Sequence, residues 1–253
     1  MRQKYGQHFL IDKNIITQIV DAALLLRAEN LVEIGPGKGA LTQALISRGA
    51  RDFFAIEIDP AMVTYLKKTL PAAANIHLIE QNFLETDLSF LPKVPTEFVS
   101  NLPYESAADI LDKVLAWPYF KTAVFMFQKE HSLKIRARAG DEFYGPLSIF
   151  SQLRARINPI CKVGRSCFAP PPKVESAVLA FEKITPPEVP WERIARLVRV
   201  SFLHRRKTLL NALILGGYNK EKVAGALTSC GLKPTVRPEE ATPQQYVKLA
   251  YHL

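Results

Sequence analysis

Cysteine is scarce in this chain: Cys161, Cys167 and Cys230 are the whole complement of 253 residues, an odd number with no CxxC pair. That excludes a disulfide framework and a thiolate zinc site, and it points to reduced thiols in a cytoplasmic protein. The five histidines show no ligand spacing, so no metal is expected. Long apolar runs are also missing. Residues 15–26 are apolar but interrupted by Thr17, Gln18 and Asp21, which fits an amphipathic helix and not a signal peptide or membrane span. Acidic residues are absent from Phe143 to Val174, where Arg154, Arg156, Lys162, Arg165 and Lys173 fall. They are absent again from Arg196 to Lys207, a block holding Arg196, Arg199, Arg205, Arg206 and Lys207. With a net charge of +9, these blocks predict a positive surface for a polyanion.

What the chain does have is alternation. Short apolar runs at 31–34, 53–58, 76–79, 98–100 and 123–127 alternate with helix-like segments, the pattern of an α/β fold with a parallel sheet and helices on both faces. Residues 177–181 read as a last strand, paired with the segment near 157–163. Three prolines within 184–190 then punctuate the chain, and beyond them four helical segments follow, at 191–202, 207–215, 221–230 and 243–253. The expected division is therefore 1–185 for the sheet domain and 186–253 for a small all-α domain.

Two motifs carry chemistry. The first strand ends in Gly35-Pro36-Gly37-Lys38-Gly39 and opens a helix, a turn where backbone can approach a nucleotide cofactor. Glu57 ends the second strand 22 residues after Gly35, where a carboxylate can accept both ribose hydroxyls. Up to this point a nicotinamide dehydrogenase fits equally, but no group is apparent for the proton that accompanies hydride transfer. The second motif is Asn101-Leu102-Pro103-Tyr104. The exocyclic amine of adenine is a poor nucleophile because its lone pair is delocalised into the ring. Two acceptors aimed at its hydrogens, the Asn101 amide oxygen and the Leu102 carbonyl, favour a tetrahedral nitrogen. Pro103 restricts Leu102 to extended backbone. Tyr104 can stack on the base and stabilise growing positive charge. Such catalysis rests on positioning and fixed dipoles. The base must be unpaired or flipped to enter, and Phe168, ahead of Pro170-Pro171-Pro172-Lys173, is the candidate for a second aromatic clamp.

With these residues in view, the sequence resembles the ribosomal RNA adenine dimethyltransferases of the KsgA/Dim type, a branch of the S-adenosylmethionine-dependent methyltransferases with a Rossmann-like sheet. The likeness runs through Tyr5 to Leu10, Val32 to Gly37, Ile56 to Asp59, Asn101 to Tyr104, Phe127 to Glu130, Tyr144 to Ser148, Phe168 to Val178 and Phe202 to Leu209. The triple-proline loop and the last, basic segment favour this type over the Erm enzymes of macrolide resistance.

The resemblance implies S-adenosylmethionine as cofactor, contacted by His8, Leu10, Gly35, Gly37, Glu57, Ile58, Asn82, Phe83 and Asn101. It also implies transfer of two methyl groups to each of two adjacent adenosines near the 3′ end of small-subunit rRNA, on an assembling 30S subunit. Arg154, Arg165, Lys173, Arg205, Arg206 and Lys207 are expected at the RNA. A monomer is expected. A different class, an rRNA-binding assembly factor with weak or no catalysis, is motivated by the departures at His8 and Asn82, two of three positions that depart from the family pattern. His8 stands where Asn is usual, Asn82 where Asp is usual, and Glu105 where Asn is common. An uncharged acceptor at Asn82 predicts a cofactor-affinity loss of about 1 kcal/mol. An acid at Glu105 is expected to complement the dipole of the helix that follows.

Overall fold

A computed structural model describes residues 8–25, 28–50, 52–71 and 75–253. The elements in chain order begin β1 (Phe9–Leu10), α1 (Lys13–Leu25), β2 (Asn30–Ile34), α2 (Ala40–Ser47), β3 (Phe53–Glu57), α3 (Pro60–Thr69) and β4 (Ile76–Glu80). They continue with β5 (Thr96–Asn101), α4 (Ala107–Ala116), β6 (Phe120–Gln128), α5 (Lys129–Arg136), α6 (Pro146–Gln152), β7 (Ala155–Val163), β8 (Phe168–Ala169) and β9 (Ser176–Lys183). Four helices close the chain: α7 (Trp191–Leu203), α8 (Leu209–Leu215), α9 (Lys220–Ser229) and α10 (Pro243–His252).

The chain divides into two compact units, residues 1–132 with 156–183, and residues 133–155 with 184–253. In the first, seven strands form one sheet in the order β4-β3-β2-β5-β6-β9-β7. The first five are parallel, joined by crossovers, and β9 runs antiparallel to β6. The central strands are buried on both sides, which is why they read as unbroken apolar runs. Local chemistry sets the boundaries. The Asp12 carboxylate accepts from the amides of Asn14 and Ile15, starting α1, whose Ile15, Ile19, Val20 and Ala23 are buried against a core that includes Leu41, Leu45, Val99 and Val124. Asp59 caps α3 in the same way, with Pro60 as its first residue. Separately, β1 and β8 form a two-stranded ladder, Phe9 opposite Ala169 and Leu10 opposite Phe168.

The second unit is helical, around Ile149, Leu153, Ile194, Leu197, Val198, Leu213 and Leu249. Side chains of Thr208, Asn219 and Thr242 accept from backbone amides to cap α8, α9 and α10. The buried hydroxyls of Tyr144 and Tyr246 donate to the carbonyls of Ala241 and Pro238. The linear division at residue 186 differs from these units, because Ile149 and Leu153 pack into the helical core and take the 133–155 segment with them. Among the described residues, no helix is long and apolar enough to cross a membrane.

Candidate active site

A cavity of about 690 Å³ opens at the carboxyl ends of β2, β3 and β5, where open parallel sheets bind ligands. It lies within the sheet unit. Its wall includes His8, Leu10, Gly35, Gly37, Glu57, Ile58, Asn82, Phe83, Asn101, Leu102, Pro103 and Tyr104. Two motifs 64 residues apart, read from Gly37 to Asn101, therefore share one cavity. Tyr5, Gly6 and Gln7 lie outside the described residues.

The glycine turn is shaped by left-handed backbone. Gly37 has φ +55°, and a Cβ there would lie 3.2 Å from the Phe9 ring. At Gly39, with φ +78°, a Cβ would lie 2.8 Å from a terminal methyl of Leu66 of α3, so a side chain would have to displace that methyl on backbone that favours glycine. The Glu57 carboxylate anchors the turn. One oxygen accepts from the Gly37 amide at 2.9 Å and the other from the Asp59 amide at 2.9 Å. Burial pushes its pKa up, and these backbone bonds pull it down. Each oxygen keeps a second lone pair, so the group can still receive ribose hydroxyls. Next to it, Glu33 is 1% exposed and accepts from the Thr42 hydroxyl at 2.7 Å.

In the acceptor motif, the Asn101 amide nitrogen donates to the His8 carbonyl at 3.2 Å. That bond fixes which end of the amide is which and leaves the oxygen as its acceptor. The Pro103 carbonyl accepts from the Ser106 amide, which turns the chain into α4. Glu105 precedes this helix and its N-cap Ser106, and Asp109 supplies the acid of the first turn. The expected dipole role belongs to Asp109. Tyr104 is half-buried. Its hydroxyl lies 2.8 Å from that of Ser176, and its ring stacks on His8 with centroids 6.1 Å apart.

Phe168 stands apart from the other candidates. It is 3% exposed, opposite Leu10 in the β1–β8 ladder, in a core with Ile15, Val163 and Val178, and it is absent from the cavity wall. Its side chain packs in that core, beside Leu10 of the cavity wall.

Sequence reasoning also missed several contributors. The Phe9 ring lies under the Lys38 ammonium, 4.5 Å from its centroid, and against Gly37. Lys113 of α4 donates to the carbonyls of Phe83, Leu84 and Thr86 at 2.7, 3.0 and 2.6 Å, holding the loop that carries Asn82 and Phe83. Burial lowers the Lys113 pKa. These contacts join residues about 30 positions apart, and no local periodicity announces them.

Asn82 is tied within its own turn. Its amide oxygen accepts from Leu84 at 3.1 Å, and its nitrogen donates to Glu85 at 2.9 Å. An Asp here would face the Glu85 carboxylate across that second contact, so Asn82→Asp alone recovers little cofactor affinity. Asn82→Asp with Glu85→Gln is expected to bind S-adenosylmethionine about fivefold to tenfold more tightly than wild type, a charge-assisted gain near 1 kcal/mol. Calorimetry of the single and double variants checks this. A double variant no tighter than wild type refutes it.

The basic residues divide. The Arg154 guanidinium stacks on Trp191 at 3.5 Å and so contributes to packing of the helical unit. Arg205 donates to the Glu142 carbonyl, while Arg206 and Lys207 are exposed. In the sheet unit, Lys173 is exposed and Arg165 donates to its carbonyl at 3.4 Å. Among the described residues, no group of three or more His, Cys, Asp or Glu side chains is placed to hold a metal ion.

A family model for ribosomal RNA adenine dimethylase matches residues 1–252. The chain is 37% identical over 254 residues to a ribosomal RNA small subunit methyltransferase A of Mycoplasma mobile, covering 100% of this chain and 98% of that one. It is 40% identical over 217 residues to a probable dimethyladenosine transferase of Dictyostelium discoideum, covering 83% and 67%. Among solved structures, a dimethyladenosine transferase from Plasmodium falciparum superposes with a TM-score of 0.81 at 27% identity, covering 96% of each chain. The 23S rRNA methyltransferase ErmE superposes at 0.75 and 29% identity, covering 97% of this chain and 99% of that one.

Proposed function

This chain belongs to the ribosomal RNA adenine dimethylase family, and on that premise we propose that it dimethylates the exocyclic amines of two adjacent adenosines in the 3′-terminal hairpin loop of small-subunit rRNA. The cofactor is S-adenosylmethionine, the substrate an assembling 30S subunit, the setting the cytoplasm, and the enzyme a monomer. One observation carries the chemistry: Asn101 and Tyr104 share a cavity with the glycine turn and Glu57.

The residues fit the cofactor. The cavity volume is that of a ligand site, the turn admits close backbone approach, and Glu57 offers acceptors at a strand end. Gly35, Gly37, Glu57, Ile58, Asn82 and Phe83 would hold it. When bound, it supplies an electrophilic sulfonium methyl. Asn101 accepts an amine hydrogen through its free oxygen and so pushes the nitrogen lone pair out of the ring plane. The Leu102 carbonyl, restrained by Pro103, accepts the other. Tyr104 stacks on the flipped base. The amine proton leaves to water once the methyl is in place.

Methyl incorporation into immature small subunits tests this, with Tyr104→Ala as the comparison. Folded wild-type protein that incorporates no methyl defeats the proposal. Equal rescue of an assembly defect by wild type and a methylation-dead Tyr104→Ala would make rRNA binding the main role.

Lys173, Arg165 and the exposed Arg205, Arg206 and Lys207 are the proposed phosphate contacts. Changing the last three together to Gln is expected to weaken subunit binding and to flatten the plot of log affinity against log salt by about 2 units. An unaltered slope would assign them elsewhere.

A further inference from the structure

We propose that Ser176 is a positioning residue for base stacking, its hydroxyl holding the Tyr104 ring at the angle at which it meets the adenine. The inference rests on the reading of Tyr104 as the stacking residue and extends it to a side chain outside the cavity wall. Ser176 opens β9, lies opposite Gln128 of β6 and is 2% exposed. Its oxygen sits 2.8 Å from the Tyr104 hydroxyl.

Tyr104 otherwise hangs from a short turn between β5 and α4, where two side-chain torsions decide the ring plane. A bond from the far end of the ring to Ser176, buried where β9 pairs with β6, restrains both torsions. A second restraint comes from the ring's face, where His8 stacks and is itself held, its Nδ1 lying 2.8 Å from the Pro170 carbonyl. The phenol is thus held at its hydroxyl by β9 and on one face by the N-terminal strand segment. A flat ring fixed at two points leaves its remaining surface preorganised for a base. Burial raises the Tyr104 pKa, so the hydroxyl stays neutral and serves as an anchor, with no part in accepting the amine proton.

The test compares Ser176→Ala, Tyr104→Phe, the double variant, Ser176→Thr and Tyr104→Ala, using single-turnover methylation of immature subunits and calorimetric S-adenosylmethionine binding. Ser176→Ala and Tyr104→Phe are each expected to slow methyl transfer about fivefold to tenfold, the loss of one neutral hydrogen bond. Cofactor affinity should stay within about twofold. The double variant should be no slower than either single one, because both remove the same bond, and Ser176→Thr should recover most of the rate. Losses that multiply in the double variant, or a wild-type rate for Tyr104→Phe, overturn the proposal. The second result stands even if Ser176→Ala fails to fold. Tyr104→Ala separates the two levels: a wild-type rate there removes the stacking role itself, whereas an inactive Tyr104→Ala beside a fully active Ser176→Ala removes only the anchor.

Discussion

Asn101→Ala is expected to slow methyl transfer by about 100- to 1000-fold, the range found when one preorganised hydrogen-bonding group is taken from a transition state. The amide has two ends with separate tasks. Its nitrogen is engaged by the His8 carbonyl, which prevents the group from flipping and leaves the oxygen for the amine of the proposed substrate. Alanine removes the acceptor and also frees the 8–10 segment from the acceptor motif. Cofactor binding should suffer less, several-fold at most, since Gly37, Glu57 and Asn82 remain. Asn101→Asp sharpens the point. A carboxylate can accept from the amine, but it opposes the His8 carbonyl with a second acceptor, so it too should lose most of the rate. Rapid-quench methylation at saturating S-adenosylmethionine measures these effects. A rate for Asn101→Ala within tenfold of wild type would remove the amide from the mechanism.

The cavity was legible in the sequence for a physical reason. A parallel sheet puts the carboxyl ends of its strands on one edge, so strand-terminal motifs at Gly35, Glu57 and Asn101 must meet there once the runs between them are read as strands. Adjacency was legible for the last pair of strands as well: β9 and β7 are neighbours at the sheet edge, in the segments near 177–181 and 157–163.

What stayed hidden was long-range or contrary to pattern. Phe168 precedes a proline run, which locally favours a loop, yet its pairing with Leu10 across more than 150 residues buries it. Helices α5 and α6 are 8 and 7 residues long, too short for periodicity to show. The assignment of α6 to the helical unit depends on Ile149 and Leu153 finding its core, which no local signal encodes. Arg154 reads as a free cation in an acid-poor block, but a guanidinium also stacks, and Trp191 offers the face. The two ends of the Tyr104 restraint, Ser176 and His8, are invisible until β9 and β1 are placed.

A buried acid conceals a strand in the same manner, and it leads to the second large effect. Residues 98–100 read as strand, yet β5 begins at Thr96 because Glu97 sits inside the sheet, between Leu31 of β2 and Thr122 of β6, at 2% exposure. One of its carboxyl oxygens has no hydrogen-bond partner, and the Thr122 hydroxyl and the Lys121 charge only partly offset the cost of burying the group. Burial pushes the Glu97 pKa up to about 8, so the folded protein holds a proton there that the unfolded chain releases near pH ~4.3. Folding therefore binds a proton between those values. The stability of the neutral carboxyl is complete below the unfolded pKa and is lost as pH rises through about 8. Glu33 behaves alike, raised to about 8 first by burial and further by Glu57, with the Thr42 bond opposing. The whole shift at Glu97, at ~1.4 kcal/mol per pH unit, sets an upper bound of several kcal/mol. Relaxation and water entry reduce it to about 2 kcal/mol. Glu97→Gln keeps the volume and cannot ionise. It should match wild type at pH 5 and exceed it at pH 9 by about 2 kcal/mol, roughly 4–8 °C in Tm for a chain of this length. Calorimetric melts across that range should show wild type losing stability with rising pH and the variant losing less, the remainder belonging chiefly to Glu33 and Glu57. Superimposable pH profiles for the two proteins would mean that Glu97 is solvated or paired, and that the sheet carries no buried proton at this position.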